Sequence, residues 1–147
     1  ELYLEARHEA WVSTHGPDVP FDGEGFLSDA RLHLSSTPWG VTLALADRDV
    51  VGVLQLDPER YSQDNAGYIP FCYVNPQRRE QNLGVQLIGQ AVAFYRPLGR
   101  DKLRLRCAPY NDRAQHFYHK YGFAKVGDEA GGRVPLEILE KYIGYER

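Results

Sequence analysis

The chain has 147 residues, 43% hydrophobic and 25% charged, with a formal net charge of −3. That is one domain's worth of material with the ordinary composition of a soluble globular protein. No apolar run approaches a membrane span, no signal-peptide pattern opens the chain, and two cysteines, Cys72 and Cys107, make neither a disulfide framework nor a metal cluster.

The chain starts without Met and contains none, as expected where a leader or first element has been removed. Residues from Leu2 to about Thr14 predict a first helix, with Leu4, His8 and Trp11 along one stripe, broken by Gly16-Pro17-Asp18. Asp22-Gly23-Glu24-Gly25 introduces a second helix with Leu27, Ala30, Arg31 and Leu34 on its stripe. A hairpin follows: Val41, Leu43 and Leu45 alternate with smaller residues, Asp47-Arg48-Asp49 turns, and Val50 to Leu56 returns. After a polar stretch, Ala66 to Val74 predicts another strand. Pro70 has no N–H for a ladder, so it belongs beside a bulge or where the strand peels from a neighbour.

The next stretch, Val74-Asn75-Pro76-Gln77-Arg78-Arg79-Glu80-Gln81-Asn82-Leu83-Gly84-Val85, reads as a strand end, a short polar loop and a helix start. Leu83, Leu87, Ile88, Ala91 and Phe94 then recur at helical spacing until Pro97. Such a junction aims several backbone N–H groups at one spot, at the positive end of the helix dipole. Gly84 permits close approach to the main chain, and Arg78 and Arg79 add positive charge. The physical reading is a site for phosphate groups.

Lys102 to Cys107 alternates strictly, which predicts a strand with one buried and one basic face. Asn111 caps a helix whose apolar stripe is Ala114, Phe117, Tyr118 and Tyr121; Gly122 stops it, and Phe123 packs back on it. A strand from Phe123 to Gly127 follows, then a Gly131-Gly132 loop and a last strand from Leu136 to Ile143, where helical spacing is the alternative.

The spacing Arg79-x-x-Asn82-x-Gly84, directly after Val74-x-Pro76, resembles the R/Q-x-x-G-x-G/A loop of the GNAT superfamily of acetyl-CoA-dependent N-acetyltransferases. Asn111-Asp112-Arg113-Ala114-Gln115-His116-Phe117-Tyr118-His119-Lys120-Tyr121-Gly122-Phe123 is similar to that family's N-x-x-A-x-x-F-Y-x-K-x-G-F signature at nearly every position. The departure is Asn82, where the family usually has Gly; Asn is the residue that next most readily tolerates a positive φ. The resemblance implies an α/β (α+β) GNAT fold over residues 1–147 as a single domain. Its central sheet is mixed, mostly antiparallel and flanked by helices, with a splayed strand pair holding the cofactor. The family normally opens with a strand before its first helix, and none is read here.

The resemblance further implies transfer of an acetyl group from acetyl-CoA to a primary amine by direct attack, with no covalent enzyme intermediate. The coenzyme A pyrophosphate would sit on Arg79, Glu80, Gln81, Asn82, Leu83, Gly84 and Val85, and the pantetheine arm along Cys72, Tyr73 and Val74. An N–H near Cys72 would polarise the thioester carbonyl. Asn111 comes over with its signature to the cofactor side, and Tyr118 matches the family's acid. A tyrosine pKa near ~10 keeps that hydroxyl protonated at neutral pH; from the residues alone, Tyr118 also reads as a core aromatic. Tyr68 to Val74 contains no carboxylate to act as base. Asp57, Glu59 and Asp64 flank the strand ends, and each also reads as a solvated loop charge.

No metal is expected: His116 and His119 lie three apart but lack a third ligand at a motif spacing. Cys72 has no base in sequence to make it a nucleophile. The alternative function is a non-catalytic acyl-CoA-binding sensor of GNAT-like fold, favoured by Asn82 and the missing base. Acidic side chains outnumber basic ones over residues 1–77, and the reverse holds over 78–113. A basic middle suits an anionic cofactor and an acidic first half a cationic amine; alternatively, both are surface charge serving solubility. The partners expected are a small-molecule or peptide amine, with no nucleic acid and no membrane. A homodimer is compatible with the sequence, and the cytoplasm is the default compartment.

Overall fold

The structure, a computed structural model, describes residues 2–15, 18, 20–25, 27–28, 41–46, 49–76, 82–129, 132 and 134–145. Helix α1 (Leu2–His15) precedes strands β1 (Val41–Ala46) and β2 (Asp49–Asp57). There follow β3 (Ala66–Val74), α2 (Leu83–Tyr95), β4 (Lys102–Cys107), α3 (Asp112–Lys120), β5 (Ala124–Glu129) and β6 (Leu136–Tyr142). The hydrogen-bonded order is β1-β2-β3-β4-β6-β5. Pairing is antiparallel at β1–β2, β4–β6 and β5–β6 and parallel at β3–β4, so this is a mixed sheet of the α+β class. Of the expected second helix, Gly23–Gly25 and residues 27–28 are helical, while Ala30, Arg31 and Leu34 lie outside the described residues. The hairpin residues Asp47 and Arg48 also lie outside them. Among the described residues, no helix is long and apolar enough to cross a membrane.

The chain divides into two compact units, Glu1–Gln55 with Phe71–Leu87, and Leu56–Pro70 with Ile88–Arg147. In the first, Val53 and Phe71 are buried, with Ala10 and Tyr73 packed against them. Residues 51–55 of β2 are all buried, the pattern of a strand covered on both faces. Gln55 belongs to that run, and its Oε1 accepts a hydrogen bond from Arg7 Nη2 at 2.8 Å, which offsets the cost of burying an amide. The Arg7 guanidinium lies 3.9 Å from the Phe71 ring centroid. Two residues of the α1 stripe meet one aromatic neighbour: the Trp11 ring lies 6.2 Å from that of Phe21, and the His8 ring lies 4.9 Å from it.

The core of the second unit comprises Ala66 and Ile69 of β3, Ile88, Ala91 and Tyr95 of α2, Leu103 and Leu105 of β4, and Leu139 of β6. Tyr95, which the periodicity of α2 does not single out, is completely buried, and its hydroxyl donates to the Tyr68 carbonyl at 2.5 Å. Gly67 makes room for that ring: a Cβ there would collide with the Tyr95 ring carbons. The basic face of β4 is largely neutralised within the fold. Lys102 pairs with Asp101 (2.8 Å), Arg104 with Asp64 (2.8 Å) and Glu140 (3.2 Å), and Arg106 with Glu129 (2.8 Å).

Candidate functional site

In the first unit, β3 runs out through Cys72, Tyr73 and Val74, all half-buried, and Asn75 N–H donates to the Val51 carbonyl at 2.7 Å. The Phe71 and Tyr73 rings are near-parallel, 6.1 Å apart. Arg79, Glu80 and Gln81 lie outside the described residues. Asn82 has φ 59, the left-handed region for which Asn is second only to Gly. The chain turns there into α2 at Leu83. Gln86 N–H closes the helix's opening turn on the Asn82 carbonyl at 3.3 Å. The amides of Leu83, Gly84 and Val85 precede that closure and lack an intrahelical acceptor by the geometry of a helix start. Gly84 is buried and Val85 half-buried.

Pro70 behaves as its chemistry requires. The parallel β3–β4 ladder runs from Ala66↔Lys102 to Ile69↔Leu105 and ends before the proline.

In the second unit, Asn111 Oδ1 accepts from Ala114 N–H at 3.3 Å, capping α3. Asp112 adds a favourable charge in the first turn. Gly122 has φ 94, and Phe123 N–H returns to the Tyr118 carbonyl at 2.9 Å. Tyr118 is half-buried on α3, with Phe117 and Phe123 rings edge-on at 5.3 and 5.4 Å, so its aromatic plane is fixed by packing.

Two of the three carboxylates near β3 have other work. Asp57 Oδ1 accepts from the N–H groups of Glu59 (3.1 Å) and Arg60 (3.4 Å), Asp64 pairs with Arg104, and Glu59 is exposed. His119 sets its Nδ1 3.0 Å from the Phe123 carbonyl and its Nε2 3.0 Å from Gln115 Oε1, and His116 is exposed. Among the described residues, no group of three His, Cys, Asp or Glu side chains is placed to hold a metal. Burial, helped by the Glu137 charge, pushes the Cys107 thiol up to about 11, leaving it a protonated core side chain. Sequence reasoning missed one constellation, the group of Arg60, Tyr61, Arg106 and Glu129 around Tyr68. No local spacing marks it, because Glu129 reaches its partners across most of the second half of the chain.

A search of solved structures gives many likenesses of fold. An acetyltransferase of the GNAT family from Staphylococcus aureus Mu50 superposes with a TM-score of 0.74 at 16% identity, over 98% of this chain and 95% of that one. The PaiA N-acetyltransferase of Thermoplasma acidophilum, in complex with coenzyme A, gives 0.69 at 20% identity over 95% and 90%. The YncA protein of Salmonella typhimurium, with its cofactor acetyl-CoA, gives 0.71 at 14% identity over 99% and 89%. No curated protein matches the chain by sequence. The family pattern described as "Acetyltransferase (GNAT) family" matches residues 3–123. With that match extending over most of its length, the chain belongs to the GNAT family of acetyltransferases.

Proposed function

We propose that the whole chain is one N-acetyltransferase domain that moves the acetyl group of acetyl-CoA to a primary amine by direct attack, in the cytoplasm. The observation that carries this reading is Asn82 at φ 59, turning the chain from β3 into α2 within the frame Arg79-x-x-Asn82-x-Gly84. A non-Gly residue in that conformation has the loop shape that a Gly would otherwise supply, and the helix start behind it offers unpaired amides to an anion.

Acetyl-CoA, when bound, supplies an acyl thioester open to an amine nucleophile. Arg79, Glu80, Gln81, Asn82, Leu83, Gly84 and Val85 hold its pyrophosphate. Cys72, Tyr73 and Val74 bond the pantetheine arm through their backbone, and an N–H near Cys72 polarises the thioester carbonyl. Asn111 keeps α3 in place through its cap, which sets the position of Tyr118. The Tyr118 hydroxyl holds the proton that the departing thiolate needs. Of the carboxylates that flank β3, Asp57 is committed to a turn and Asp64 to Arg104.

The test is acceptor-dependent release of coenzyme A thiol across a panel of amines, for wild type and Tyr118→Phe. With an accepted amine, the variant keeps its ring packing and loses about 10²–10⁴-fold in kcat while acetyl-CoA affinity holds. Undiminished turnover in Tyr118→Phe excludes Tyr118 as the acid. A folded wild type that binds acetyl-CoA and turns over no amine points instead to a sensor.

A further inference from the structure

The cofactor reading leaves one cluster unused, in the second unit around Tyr68. This residue is 2% exposed, and its hydroxyl is buried without a hydrogen-bond partner. Buried hydroxyls are normally paired, because an unpaired one forfeits its bonds to water. The Arg60 guanidinium lies 4.8 Å from the Tyr68 ring centroid and that of Arg106 lies 5.8 Å from it. Glu129 ties the two arginines together: Oε1 accepts from Arg60 Nη2 at 2.6 Å and Oε2 from Arg106 Nη1 at 2.8 Å. Tyr61 closes the cluster with its ring edge-on to Tyr68 at 5.5 Å and its backbone at φ 61. A bulky side chain at positive φ is strained and persists only where its surroundings impose it, as they do at ligand clamps.

The charges point to an anion. Each guanidinium has five donors in a planar fork, and Glu129 takes one from each. Two arginines against one carboxylate leave one positive charge in excess. The neighbouring Arg104 is matched by its own carboxylates, Glu140 and a largely solvated Asp64. The side chains of Arg60 and Arg106 are 41% and 37% exposed, so their forks reach solvent while the phenol lies beneath.

We propose that Arg60, Arg106 and the Tyr68 hydroxyl form a recognition site for the carboxylate of a free amino acid or peptide. The ligand carboxylate accepts paired N–H bonds from the two forks, a geometry suited to planar recognition by arginine. Arg60 turns off the Tyr68 ring as it engages, and the uncovered hydroxyl donates the bond it otherwise lacks. The excess positive charge is then cancelled by a monovalent anion.

The test is calorimetric titration of the full chain with the common amino acids, each compared with its amide, and with inorganic phosphate. At least one amino acid binds about tenfold or more tightly than its amide. Arg106→Gln weakens that binding about ten- to hundredfold, the range for bonds to charged groups. Tyr68→Phe weakens it about three- to tenfold, yet its Tm stays level or rises because the deleted hydroxyl has no partner in the unliganded protein. Acetyl-CoA affinity is the same in all three proteins. Absence of amino-acid binding, equal binding of amides, preference for phosphate, or a Tyr68→Phe protein with unaltered affinity would overturn the proposal. Carboxylate-selective binding without acetyl transfer to any amine sinks the enzyme reading and leaves this site standing.

Discussion

At Asn82, a residue that departs from its family's usual glycine nevertheless adopts the glycine conformation. The left-handed region costs an ordinary L-residue roughly 1–2 kcal/mol, and Asn recovers part of that through its short polar side chain. Asn82→Gly is therefore expected to retain the fold within about 1 kcal/mol, since relief of strain and the extra entropy of an unfolded glycine oppose each other. Acetyl-CoA affinity should hold or improve, as measured by titration calorimetry. A large loss of affinity would mean that the Asn82 side chain contacts the cofactor itself. Single-residue signals of this kind were legible because they act locally. Asn111 caps the helix it precedes, and Gly122 takes the positive φ that ends it. The Tyr68 cluster was not legible, because its arginines and Glu129 are joined only by the folded sheet.

At the scale of elements, β3 and α2 are fitted to each other at one point. The period of α2 identified Leu87, Ile88 and Ala91 as core but passed over Tyr95, whose ring lies over Gly67. Helical period says which stripe is buried; it does not say where a partner strand leaves a gap. Gly67→Ala forces a methyl into a ring that is itself completely buried, so a loss of about 3 kcal/mol is expected, at the upper end for overpacking. Gly89→Ala, exposed on the same helix with nothing within 4 Å of its Cβ, should instead stabilise by roughly 0.5–1 kcal/mol. Urea unfolding of the pair checks the contrast, and equal effects would refute the packing account.

Glu129 links the loop before β3, strand β4 and strand β5 through Arg60 and Arg106. Burial works to raise its carboxyl pKa, but the hydrogen bond and charge of Arg106, with the charge of Arg60, hold it below the usual carboxylate range. With its folded pKa below the unfolded one, Glu129 contributes stability that is fully present above the unfolded value. That contribution is lost as pH falls through the folded value. Glu129→Gln should thus cost about 1 kcal/mol at pH 7, with the gap to wild type closing as pH drops from the ordinary carboxylate range downward. Unfolding midpoints at neutral and acid pH measure this; a gap independent of pH would show that the ion pairs contribute nothing.

Over the whole molecule, order and type of elements followed the sequence closely, from the β1–β2 hairpin to the last strand. What the sequence did not reveal was which members of its charge blocks pair. Arg104 and Arg106, in the basic middle of the chain, face Asp64 from the acidic half and Glu129 and Glu140 from the end. Part of the segregation along the chain becomes pairing in the fold, and the phosphate site proposed for coenzyme A is the loop before α2. That makes the loop the place to test the central claim. Acetyl-CoA titrated into wild type and Gly84→Glu, with far-UV circular dichroism to check the fold, does so most directly. We expect one cofactor bound per wild-type chain and an affinity at least about tenfold lower in the folded variant, where a carboxylate meets the pyrophosphate. Equal affinity in the two proteins, or no binding to wild type, would contradict the account.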